Sequence, residues 1–313
     1  MRGASLPAMF AVGILLTAGA PVRAQPAPGA APPPAEPTAV EALVVTAPPD
    51  PGVDAIKAFV GEVSAPTPSG RYARWDRTIC PGVIGMKPDF ARRLNDRIAA
   101  AALAVGLQVG EPGCKSNMIV VATSDSQALA AEVVKDNTTA FGKWDDGATR
   151  GRKALKDFVE TPRPVRWWHV SRPMLADGST YQQGESVRVR QLGRVRATTR
   201  ETFDHVVIIV DVSRIGVIRF DALADYVAMV GLAQIEPDAD PEGVSTILNL
   251  FNDRAAGRPP ADSLTAWDLA YLRALYASRA EAIRGERQAG DIARGMGEQL
   301  GAPKAGDGGE REE

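Results

Sequence analysis

Between Ile79 and Ala122 the chain reads as strand, helix, strand, and this order restricts the fold more than any other feature. Ile79 to Ile84 predicts a strand, and PDFARRLNDRIAAAALAVG follows with Phe90, Leu94, Ile98 and Val105 near one helical stripe. Pro88 stands where a first helical residue belongs, and Gly106 where a C-terminal cap belongs. Met118 to Ala122 is then uniformly apolar, as in a strand covered on both faces. Such a unit pairs its strands in parallel, so a mixed α/β (α+β) domain is expected. Cys80 begins the first strand and Cys114 immediately precedes the second. Parallel neighbours start at the same sheet edge, so a Cys80–Cys114 disulfide is predicted.

Further along, from 160 to 212, the pattern has period two. VRWWHVSR, SVRVRQLG, RVRATTR and HVVIIVD read as successive strands, the last of them central because Val206 to Val210 is uniformly apolar. Trp167 and Trp168 point to opposite faces of such a strand, so at most one is expected in the core. Arg188, Arg190, Arg194, Arg196 and Arg200 alternate. They read either as an anion-binding face or as cations guarding a solvated edge.

The two ends of the sequence differ from this body. Arg2 is followed by an apolar run of small and aliphatic residues and then Val22-Arg23-Ala24, the layout of a signal peptide cut after Ala24. The run is shorter than the roughly 20 residues a membrane span needs, so no transmembrane domain is expected in the mature chain. Residues 25–52 form a Pro/Ala-rich linker, with nine of the 24 prolines between 26 and 51, and 301–313 is a charged, Gly-rich tail. Both are expected to lack a packed core. The globular domain is then 53–300, sheet-rich over 53–212 and helical over 213–300. A periplasmic or secreted location follows from the leader, and an oxidising compartment agrees with the disulfide.

Composition narrows the chemistry. A net charge of −2 over 313 residues argues against nucleic acid as a partner, because phosphate binding needs an excess of cations. Two His and two Cys cannot supply a three-histidine zinc site, and no cofactor is expected. His169 and His205 sit in no nucleophile elbow, phosphate loop or dinucleotide turn. Asp145-Asp146 and Asp238-Asp240 read as solvated carboxylates, and 236–242 lacks the spacing of a calcium-binding EF-hand loop.

The most informative stretch runs from Phe220 to Tyr276. It contains Ala224-Asp225-x-x-Ala228-x-x-Gly231-x-x-Gln234, then Ser245-Thr246-Ile247-Leu248-Asn249, then Leu264-Thr265-Ala266-Trp267-Asp268 with Leu272, Leu275 and Tyr276. These three elements, in this order, resemble the catalytic half of a matrixin-type metzincin zinc peptidase whose chemistry has been removed. The family motif is H-E-x-x-H-x-x-G-x-x-H, in which three His bind zinc and Glu polarises its water. The spacing survives here and every histidine is absent. Leu248 stands where the family's Met-turn has its methionine. The same arrangement is similar to that of secreted Gram-negative bacterial proteins that look like inactive zincins. The resemblance implies a zincin-like fold with a C-terminal helical subdomain, and Ala224, Asp225, Ala228 and Gln234 become degenerate metal-site positions lining an old cleft. By itself, Thr265 with Asp268 forms a capping-box start, and Leu264, Trp267, Ala270, Tyr271 and Leu275 a core stripe.

The expected function is therefore an exported, non-catalytic binding or envelope-associated domain. Its partner would be an envelope protein or an anionic envelope component. The alternatives are a hydrolase of another class acting on envelope polymers through carboxylates, and a purely structural envelope protein.

Overall fold

The structure, a computed structural model, describes residues 52–138, 141, 149–175, 177–179 and 197–301. Helix α1 (Val53–Val63) precedes strand β1 (Pro81–Ile84), helix α2 (Pro88–Ala104) and strand β2 (Met118–Thr123). Helices α3 (Ser126–Asp136) and α4 (Gly151–Glu160) lead to strands β3 (Val165–Leu175) and β4 (Thr199–Asp211). The rest of the described chain is helical: α5 (Phe220–Leu232), a 3-10 turn (Ile247–Asn249), α6 (Leu250–Ala255), α7 (Ala266–Ala277) and α8 (Gly285–Leu300).

The four strands lie in the order β1-β2-β4-β3. β1, β2 and β4 are parallel, with Pro81 opposite Met118 and Met118 opposite Val206, and β3 runs antiparallel to β4 along one edge. This is the strand-helix-strand unit of the sequence inside a mixed sheet. Pro88 opens α2 with a nitrogen that needs no intrahelical partner, and Gly106 takes a φ of 80° just past its end. The stripe of α2 is shifted from expectation. Leu94, Ile98, Ala101 and Ala102 are buried, whereas Phe90 is half exposed and packs edge-on against Phe220. The Cys80–Cys114 disulfide is formed, with Cα atoms 6.0 Å apart.

The sheet is covered on both faces, which overturns the expectation for the tryptophan pair. Trp167 packs with Tyr226 in the larger core, shared by α2, α5, α7 and α8. Trp168 packs against Phe158 of α4 in a second core with Ala130, Leu155 and Ile209. Each indole is buried and donates to a carbonyl, that of Ile235 at 3.1 Å for Trp167 and that of Phe141 at 3.1 Å for Trp168. Alternation correctly places the two rings on opposite faces, but it carries no information about α3 and α4 covering the second. A second correction concerns the strands read as separate over RVRATTR and HVVIIVD. Thr199 to Asp211 is one strand with His205 inside it, and its pairing with β3 shifts register where Val170 faces His205 and Ser171 faces Phe203, leaving Asp204 as the extra residue.

Candidate functional site

Helix α5 follows β4 after the loop 212–219 and, Asp221 and Asp225 apart, is apolar on every side, as suits a helix enclosed by the core. Every residue from Ala222 to Leu232 is buried. Ala224 and Ala228, at the positions the resemblance gives to the first two zinc ligands, have no solvent exposure. No cleft opens at either, so the old cleft expected along this face is closed by packing. Asp225, at the position of the water-polarising Glu, is also buried, but its carboxylate is fully engaged. Arg97 of α2 binds it through Nε to Oδ1 at 2.8 Å and through a second guanidinium nitrogen to Oδ2, and the Leu264 N–H donates to Oδ2 at 2.8 Å. One turn earlier, Arg93 pairs with Asp221 at 2.6 Å. The signal for these bridges is in the sequence: Arg93 and Arg97 are spaced by four on one helix, Asp221 and Asp225 by four on the other.

Gly231 sets how closely this helix lies to the sheet. It lies within α5, and a Cβ there would stand 3.0 Å from the Met118 side chain and 3.2 Å from Ile208 Cδ1. The glycine therefore lets the helix approach the sheet. The helix end is closed by side chains: Trp75 Nε1 donates to the Gly231 carbonyl at 2.9 Å, and Tyr276 Oη to that of Leu232 at 2.6 Å. The chain then runs extended, and the carbonyl of Gln234 accepts from Ala65 N while Glu236 N donates to the Val63 carbonyl. Gln234 is thus pinned beside the end of α1, and it does not converge with Ala224 and Ala228 on an open site.

Downstream, the degenerate Met-turn is bolted to the last long helix of the resemblance. Asp268 accepts from Thr246 Oγ1, from Ile247 N at 2.9 Å, and from Thr265 N and Oγ1 at 2.8 Å each. The predicted capping box is present, and Leu264, Trp267, Ala270, Tyr271 and Leu275 are all buried. Burial pushes the Asp268 carboxyl above its ordinary range, against the downward pull of these hydrogen bonds.

The best-formed cavity in this region lies at the edge strand. It measures about 30 Å³, and its lining includes Arg150, Asp157, Arg163, Arg166, His169 and Gln234. His169 is buried against the Phe203 ring at 4.6 Å. Burial pushes its imidazole down to about 3, outweighing the carbonyls of Gly231 and Val230 that favour protonation. Nothing in the sequence marks His169 as buried, since its strand was read without the helices that cover it. Paired charges rim the cavity: Arg150 with Glu236, and Arg163 with Asp157 at 3.0 Å and Asp238 at 2.7 Å.

The other sequence candidates are dispersed. His205 pairs with Asp204 through Nδ1 at 3.0 Å, near Arg172 and Arg77. Asp238 goes to Arg163, and the Asp240 N–H goes to Glu62, so the carboxylates of 236–242 do not converge. Among the described residues, no group of three or more His, Cys, Asp or Glu is arranged to hold a metal. The zinc of the active metzincins does not fit the residues at this motif: two alanines offer no donor atoms, and the one carboxylate is held by Arg97. Arg188, Arg190, Arg194 and Arg196 lie outside the described residues, as does Asp145-Asp146. Arg200 is described, and it is neutralised by Asp76 at 2.5 Å. No described helix is long and apolar enough to cross a membrane. No protein-family model, no curated protein and no solved structure matches the chain.

Proposed function

We infer that this chain is an exported, zincin-like domain without peptidase chemistry, acting by binding an envelope protein or an anionic envelope component. The observation that carries the reading is the fate of Asp225. In a working site a carboxylate at this position faces a zinc-bound water. Here it faces Arg97 and the Leu264 N–H, with Ala224 and Ala228 sealed in the core beside it. Three further features support the zincin-like part: the mixed sheet with its strand-helix-strand unit, the buried helix leaving β4, and the turn at Ile247–Asn249 tied through Asp268 to α7. The leader sequence and the Cys80–Cys114 disulfide support export to an oxidising compartment.

Two measurements on material from an expressing Gram-negative host test this. Mass spectrometry of the periplasmic and secreted fractions is expected to find the chain beginning at Gln25 with its disulfide intact. The purified protein is expected to hydrolyse no peptide substrate in a chelator-sensitive way. Retention of Met1 in the cytoplasm would overturn the export part, and chelator-sensitive hydrolysis the non-catalytic part.

A further inference from the structure

The cavity at the edge strand holds two buried acceptors without partners. Nε2 of His169 and Oε1 of Gln234 make no hydrogen bond, and both residues are more than nine-tenths buried. Their chemistry fixes what they require. Burial holds the imidazole neutral, so one ring nitrogen is a bare lone pair, and Nε2, which has no carbonyl in hydrogen-bonding geometry to take a proton from it, is assigned that role. The Gln234 oxygen is an acceptor only. Buried acceptors left unmet are costly, so the site calls for one group carrying two protons.

Size and charge select among such groups. A water needs about 10–15 Å³ of cavity measured this way, and about 30 Å³ is present, room for a bridging water and little more. The carboxylates at this rim, Asp157, Glu236 and Asp238, are already paired with Arg150 and Arg163, so they are not free to hold an ammonium or metal cation. We propose that this cavity is a built site for one water molecule, which donates one proton to His169 Nε2 and the other to Gln234 Oε1. The water joins β3 to the segment following α5. The proposal stands on the cavity alone and holds whether or not the fold is zincin-like.

A high-resolution crystal structure of the full chain and nitrogen NMR of histidine-labelled protein test it. The expected result is one water within about 2.7–3.2 Å of both atoms. The Nε2 resonance should sit at the position of a hydrogen-bonded lone pair and move to that of a free one in Gln234→Leu. A water touching only one atom, no water density, or a Gln234 amide turned to donate directly to Nε2 would overturn the proposal. So would an Nε2 resonance identical in wild type and Gln234→Leu. Should Gln234→Leu fail to fold, cross-relaxation between water and the His169 ring in the wild-type protein decides: a signal from a long-lived water supports the site, and its absence overturns it.

Discussion

Arg97 on α2 holds the carboxylate of Asp225 on α5 at two points, and the Leu264 N–H takes a third bond to it. The pair ties together three segments far apart in sequence, and the Asp225 carboxylate is almost wholly removed from water. Two consequences follow for stability and for chemistry.

Removing one partner leaves an uncompensated buried charge. Arg97→Met is expected to lower unfolding free energy by about 3–5 kcal/mol, and Arg97→Met with Asp225→Leu to recover most of that loss. Urea denaturation measures both. A loss below about 1 kcal/mol in Arg97→Met would mean that Asp225 is not held as described.

His169 makes stability depend on acid. Its folded value of about 3 lies below the ordinary value of 6.5, so the unfolded chain binds the extra proton between those limits. Its contribution is complete above about pH 6.5 and is lost as pH falls toward 3, by about 1.4 kcal/mol per unit. Asp204, Asp211 and Asp291, all held below the ordinary carboxylate range, add an acid loss of the same sign. Comparison with His169→Phe isolates the imidazole: the gap between the two pH profiles should narrow steadily as pH falls from 6.5. A constant gap would contradict a buried neutral His169.

Gly231 and Gly290 are both helical, and they should respond oppositely to alanine. At Gly231 the new methyl meets Met118 and Ile208, an overpacking cost of about 1–3 kcal/mol against a helix-propensity gain of about 1. At Gly290 in α8 nothing lies within 4 Å, so Gly290→Ala should stabilise by about 0.5–1 kcal/mol. Thermal unfolding of the two variants checks the contrast. A stabilising Gly231→Ala would show that α5 does not approach the sheet this closely.

The disulfide closes a loop between residues 34 apart. In the chain-entropy model its loss costs about 3–4 kcal/mol, so Cys80→Ser with Cys114→Ser should unfold at distinctly lower urea than the oxidised protein. Equal midpoints would indicate that the loop is already constrained in the unfolded chain.

Local features of the sequence were readable because local physics sets them. Pro88 and Gly106 bound α2, Thr265 with Asp268 caps α7, and the apolar run at Val206 marks a strand with neighbours on both sides. What failed depended on distant segments. Trp168 is buried because α4 covers its face, and His169 because Phe203 and the end of α5 lie over it. At the motif, spacing identified Ala224, Asp225, Ala228 and Gln234 as positions without zinc-binding histidines. It did not reveal that Arg97, 128 residues earlier, occupies the carboxylate, although the matched four-residue spacings were there to be read. The close approach at Gly231 was likewise not legible, because only the strands beneath it show the packing.

Zinc titration of the purified, chelator-treated chain, read by calorimetry with metal content checked afterwards, tests the absence of a metal site most directly. With Ala224 and Ala228 sealed in the core and Asp225 bound to Arg97, the expected result is no saturable heat and no zinc retained after gel filtration. One zinc bound per chain, lost in Asp225→Ala or Gln234→Ala variants that remain folded, would contradict it.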